Sequence, residues 1–177
     1  TSYDIAHVYV VVGGDLVWNA DAYAQYEDFD RQVVQPLVNM GIERKHFVFT
    51  MGNHDCQQSV VSSYSLSHTL AIEKRYQERE FNDWIHQDKC CVEKFNMFKR
   101  YLNEKFSFDR YDILCNSVEI DEDWCILSLN TSLASFAAFQ GKRDERNLGV
   151  DTRSLTQWLN ADKHKKRILL MHHPQEW

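Results

Sequence analysis

The 177-residue chain has no apolar stretch of membrane-spanning length, no long basic run, no paired-cysteine spacing and only two prolines. Without roughly 20 consecutive apolar residues a transmembrane helix is not expected, and the first residues lack the basic-then-apolar order of a signal peptide. The densest basic stretch, Lys163-His164-Lys165-Lys166-Arg167, reads as a solvated turn between a helix and a strand. With a formal net charge of −6, no nucleic-acid patch is evident. Cys56, Cys90, Cys91, Cys115 and Cys125 form an odd set without CxxC spacing, which disfavours a disulfide framework and a zinc-finger site alike. In their apolar, strand-like surroundings Cys115 and Cys125 read as small hydrophobes, and a reducing cytoplasmic setting is expected. Repeats, low-complexity segments and flexible linkers are also missing.

What is present is 44% hydrophobic and 13% aromatic content, enough for one sizeable core and one domain. Apolar runs at 8–12, 46–51 and 167–171 read as buried strands. Between the first two, Asp21 is the expected N-cap of a helix carrying Tyr23, Tyr26, Phe29, Val33, Val34 and Leu37 at helical spacing. Gly41 closes it, and Pro36 predicts a kink or break near its end. Residues 57–106 are polar and helical in character, with Phe95, Phe98, Leu102 and Phe106 forming one apolar face. The charge-rich part at 72–87 suggests a helix over one sheet edge. Residues 111–120 and 124–130, joined by Asp121-Glu122-Asp123, predict a hairpin. A loop over 136–149 exposing Lys142, Arg143 and Arg146 precedes a helix at 151–162 in which Leu155, Trp158 and Leu159 share a face.

Each of the three apolar runs ends in a block rich in metal-ligand side chains: Gly13-Gly14-Asp15, Gly52-Asn53-His54-Asp55 and Met171-His172-His173-Pro174. In an open α/β sheet ligands gather just beyond the carboxyl ends of strands, so the three blocks can converge. Two glycines let the chain turn sharply and point Asp15 into a cleft, where its two oxygens can reach separate cations. Asn53, His54 and Asp55 are costly at a sheet edge unless they have ligands or hydrogen-bond partners. Strand alternation sends His172 and His173 in different directions. His172 is the expected ligand, and His173 is either a second one or a hydrogen-bonded partner of the loop. Trp18 either fills the helix–sheet junction or stacks on a nucleobase or aromatic leaving group.

In order and spacing these blocks resemble the motifs of the calcineurin-like metallophosphoesterases. The Leu129-Asn130-Thr131 strand end and the Leu155-to-Leu159 helix agree, so the likeness covers nearly the whole chain. The resemblance implies an α/β fold, the four-layer αββα sandwich, holding two divalent metal ions of the Mn, Fe or Zn type. It implies that Asp15 bridges both metals and that Asn53 and His172 bind the second. His54 would be catalytic at the phosphate, Asn53 would share in substrate binding, and Asp55 would orient the His54 imidazole. The implied reaction is phosphomonoester or phosphodiester hydrolysis by a metal-bound hydroxide.

The family's leading Asp-x-His and closing Gly-His-x-His motifs do not occur, and Asp4 and His7 have the wrong spacing to replace the first. Residues 1–177 are therefore expected to be a partial domain, incomplete at both ends, with a helical insert at about 57–106. Such a piece carries half a metal cage and is expected to be poorly active alone. Its expected partners are a phosphate-ester substrate and the remainder of a parent chain or larger assembly. The alternative function is a catalytically inactive module of the same fold that binds a nucleotide or a protein partner. A plain doubly wound domain would leave the shared placement of Asp15, Asn53 and His172 unexplained.

Overall fold

The computed structural model describes residues 4–64, 78–87, 89–135, 148–161 and 164–174. The first apolar run supplies β1 (Val10–Val12), paired in parallel with β2 (Phe47–Phe49) in the register Val10–Phe47 to Val12–Phe49. All three residues of β2 are buried, as a run apolar on both faces requires. The matching expectation for β1 is only partly met. Val10 and Val12 pack on the core, but Val11, on the opposite face of the strand, is 47% exposed.

Between these strands runs α1 (Tyr23–Phe29), which continues through a wider π-type segment (Asp30–Val34) into α2 (Gln35–Asn39). Pro36 lacks an N–H and its ring presses on the preceding turn; the chain answers with wider turns before the proline instead of the expected kink or break. Gly41, at φ +105°, closes the helix with its N–H on the Val38 carbonyl. Asp21 is not its N-cap, a position held by Ala22. The Asp21 carboxylate instead accepts the Ser59 N–H at 3.1 Å, at the start of α3 (Gln58–Ser63).

From 57 to 106 the regular elements among the described residues are all helices: α3, α4 (Glu78–Ile85), α5 (Lys89–Glu93) and α6 (Asn96–Phe106). Residues 72–77 lie outside the described residues. Phe95, Phe98, Leu102 and Phe106 are all buried, as their spacing predicts. Phe106 meets Phe47 and Phe49 edge-on at 5.5 and 4.8 Å, which fastens α6 to the β1–β2 sheet.

Lys94, 1% exposed, donates from Nζ to the Leu133 and Ser135 carbonyls at 2.7 and 2.8 Å and so ties α5 to that loop. Lys94→Met is expected to cost about 2–3 kcal/mol of stability in urea unfolding, since charge-assisted bonds are lost while the carbonyls stay buried. An unchanged midpoint would show that those carbonyls find other donors.

The predicted hairpin is present as β3 (Cys115–Glu119) and β4 (Trp124–Leu129), antiparallel, and β4 pairs in parallel with β5 (Lys166–Leu170). Asp121 shapes the turn by accepting the Asp123 and Trp124 N–H groups, both at 2.8 Å. Strand β3 begins later than expected because Tyr111 has another task. Its hydroxyl donates to the Phe49 carbonyl at 2.6 Å, where the Ser128 hydroxyl also arrives. With Thr50 Oγ1 on the Leu129 carbonyl at 3.2 Å, these bonds set the end of β2 beside the end of β4. Two sheets with flanking helices make an α/β sandwich, the fold class expected.

The last helix, α7 (Thr152–Asn160), is capped by Asp151, whose carboxylate accepts the Arg153 and Ser154 N–H groups. Its apolar face is incomplete: Leu155 and Trp158 are half-buried and Leu159 is 49% exposed. The basic stretch is more than a solvated turn. Lys166 and Arg167 open β5, and the Arg167 guanidinium donates to the Leu159 and Ala161 carbonyls at the end of α7. None of the five cysteines forms a disulfide, and Cys115 and Cys125 lie in β3 and β4. Among the described residues no helix is long and apolar enough to cross a membrane. The loop predicted around Lys142, Arg143 and Arg146 lies outside the described residues.

Candidate metal centre

Strands β1, β2 and β5 all deliver their following loops to one end of the sandwich. After β1, Gly14 at φ +91° and Asp15 at φ +52° take two successive left-handed conformations. This tight reversal brings Asp15 against the loop after β2. A methyl group on Gly14 would lie 2.6 Å from the Gly52 nitrogen and 2.8 Å from His172 Nδ1; on Gly52 it would lie 2.0 Å from Asp15 Oδ1. Glycine at both positions is what allows the three loops to close on one another.

His172 Nε2 stands 3.3 Å from Asp15 Oδ2 and 3.2 Å from Asn53 Oδ1. Its Nδ1 is 2.7 Å from the Gly13 carbonyl, so the proton belongs on that nitrogen and Nε2 is the nitrogen turned to the two oxygens. Burial disfavours the imidazolium of His172, but the Asp15 carboxylate and the Gly13 carbonyl outweigh it and raise its pKa. Burial likewise works against the charge on Asp15, and the bonds from His172 and the His54 N–H overcome it to hold the carboxyl below its ordinary value.

Such a donor set suits a divalent cation. One imidazole nitrogen has a carboxylate oxygen and an amide oxygen within 3.3 Å, and the imidazole is braced by a backbone carbonyl as metal-bound histidines are. Among the described residues no group of three or more His, Cys, Asp or Glu side chains assembles. The cluster has two such side chains, with the amide of Asn53 as its third member.

The remaining residues of the loops take different places. His54 is half-buried, with Nδ1 3.0 Å from the Trp18 carbonyl and its ring stacked on the Trp18 indole at 4.6 Å. Its own N–H donates to Asp15 Oδ1 at 3.0 Å. Asp55 is fully buried and accepts the Gly52 and Leu16 N–H groups at 2.9 and 3.2 Å and the Tyr26 hydroxyl at 3.4 Å. These are other partners than the His54 imidazole that the resemblance implies. A carboxylate held by two N–H groups of two loops ties those loops together, and it is the Trp18 carbonyl and indole that position His54. Burial pushes the Asp55 carboxyl up to about 7, against the Gly52 N–H, while the charge of Asp15 adds to the rise.

His173 does not diverge from His172 as strand alternation predicts, because both stand past the end of β5; its ring meets the His172 ring edge-on at 4.5 Å, and it is buried with Nδ1 2.8 Å from the Thr131 hydroxyl. Trp18 does not fill the helix–sheet junction. It is 80% exposed, and Leu16, Val17 and Ala20 are the buried residues of that loop.

Two contributors escaped the sequence reading. Gln25 accepts the Trp18 and Asn19 N–H groups at 2.9 and 3.1 Å, and Tyr26 reaches Asp55 from inside the core. Nothing in the spacing of Gln25 announces its role. For Asp55 a signal did exist: an aspartate three residues after Gly52 is placed to bond back to that glycine's N–H.

No curated protein and no solved structure matches the chain. Residues 4–176 are matched by the family model of the calcineurin-like phosphoesterases, and this chain belongs to that family.

Proposed function

We propose that the protein hydrolyses phosphate esters at a divalent-metal centre held by Asp15, Asn53 and His172, with His54 serving the leaving oxygen. The observation that carries this reading is the approach of Asp15 Oδ2 and Asn53 Oδ1 to within 3.3 Å of His172 Nε2. Bound cations of the Mn, Fe or Zn type supply charge for the phosphoryl oxygens and bring a water to reactivity near neutral pH. Asp15 presents Oδ2 to the His172 ring and keeps Oδ1 on the His54 N–H, so the same carboxylate fixes ligand and catalytic residue together. With Nδ1 turned to the Trp18 carbonyl, His54 keeps Nε2 for the substrate; in the imidazolium form that nitrogen donates its proton to the departing oxygen. Asp55 is a positioning residue, since it holds both loops through their N–H groups.

Turnover of a phosphomonoester and a phosphodiester by the purified full-length protein tests this. Exhaustive chelation is expected to abolish hydrolysis and Mn²⁺ to restore it. His54→Ala is expected to lower turnover by roughly a hundredfold or more, the usual scale of acid–base assistance, while metal content by elemental analysis stays the same. Hydrolysis that survives chelation sinks the metal mechanism. Ligand binding without any turnover would favour the regulatory module.

A further inference from the structure

A cavity of about 440 Å³ opens beside the centre, walled at one end by Asp15 and His54 and along its side by Gln25, Asp28, Phe29, Gln32 and Val33. Those five follow helical spacing on α1 and the π segment, so one helix face forms the wall. The volume falls among small-molecule sites, about 300–1,000 Å³. At its mouth stands Trp18, 80% exposed and stacked on His54 with their planes 26° apart.

The indole has one face covered by His54, and the rest, left in water, is a large, flat contact area. Its backbone is fixed before any ligand arrives, by Gln25 Oε1 on the Trp18 N–H and by His54 Nδ1 at the Trp18 carbonyl. Little freedom is lost when something stacks there. Around the ring are the amides of Gln25 and Gln32 and the carboxylate of Asp28, which also pairs with Arg31. Because Gln25 uses its oxygen on two N–H groups, its amide nitrogen is the donor that remains.

We propose that Trp18 sets the specificity of this site and that the ester it selects is a nucleoside phosphate, with the base in the Trp18 cavity and the phosphoryl group at Asp15, Asn53 and His172. The inference rests on the phosphoesterase reading above for its reaction. A nucleobase answers both features of the wall. Its face matches the indole, and its edge offers donors and acceptors to Gln25, Asp28 and Gln32; a bare aryl ring answers only the first.

The test compares kcat/KM for adenosine monophosphate, phenyl phosphate and glycerol phosphate in the wild type, Trp18→Leu and Trp18→Phe. Trp18→Leu is expected to reduce the preference for the nucleotide over glycerol phosphate by about tenfold, the scale of one base–aromatic stack, chiefly through KM. Trp18→Phe is expected to keep most of that preference. Equal losses on nucleotide and glycerol phosphate overturn the role of Trp18. A loss on phenyl phosphate as large as on the nucleotide overturns the nucleobase assignment.

Calorimetric titration with adenosine monophosphate and ribose phosphate separates this inference from the reaction. Should the full-length protein turn over no ester, the phosphoesterase reading fails. Tighter nucleotide binding that Trp18→Leu weakens would still uphold the base cavity, and binding indifferent to Trp18 would overturn it.

Discussion

Replacing His172 with alanine is expected to lower hydrolysis by at least about a hundredfold, beyond the roughly ten- to hundredfold that follows when a metal ligand merely loses its hydrogen-bond partner. It is also expected to lower the metal content found by elemental analysis. His172 supplies the only nitrogen of the donor set, and its Nδ1 contact with the Gly13 carbonyl fixes which nitrogen faces Asp15 and Asn53. Alanine leaves an amide and a carboxylate oxygen with no third donor between them. The fold should survive, because the residue stands half-buried just past the end of β5. Thermal unfolding should therefore shift little in the metal-free protein, as for most substitutions outside a packed core. Activity lost with metal content intact would remove His172 from the ligand set.

The second large effect is expected from a single methyl group. Gly52→Ala places a Cβ 2.0 Å from Asp15 Oδ1 and 2.5 Å from the Asp15 nitrogen, distances at which something must move. The Asp15 backbone is one of the atoms in the way, so a side-chain rotation alone cannot relieve the clash. The loop after β1 must retreat from the loop after β2, and overpacking of this kind costs about 1–3 kcal/mol. The cost to turnover is expected to be greater. A displacement of about 1 Å at a reacting centre can cost on the order of a hundredfold in rate. Kinetics and urea unfolding on the same preparation check both parts. A variant that is destabilised but fully active would show that Asp15 keeps its place in another way.

How far the sequence could be read depended on whether a feature was local. Strand ends, glycine turns and the Phe95-to-Phe106 stripe are set by neighbours a few residues apart, so periodicity and turn chemistry locate them. The candidate ligands Asp15, Asn53 and His172 come into view for the same reason, each standing in the short loop after its strand. Partnerships across long separations were not. Asp21 looks like a cap for its own helix, yet it serves Ser59, 38 residues away. Asp55 looks like the companion of its neighbour His54, yet besides Gly52 its partners are Leu16 and Tyr26, 39 and 29 residues away. The exposure of Val11 and Leu159 depends on what covers a face, which no spacing of apolar residues encodes.

The three candidate ligands do not belong to one sheet. Asp15 and Asn53 follow β1 and β2, which pair with each other, whereas His172 follows β5 of the other sheet. A cation taken up by all three would act as a rivet between the two halves of the sandwich. Binding that favours the folded state adds stability in proportion to the logarithm of free ligand, about 2.7 kcal/mol at a hundred times the dissociation constant. The supply of metal to this protein would then govern how long the chain persists as well as how fast it works.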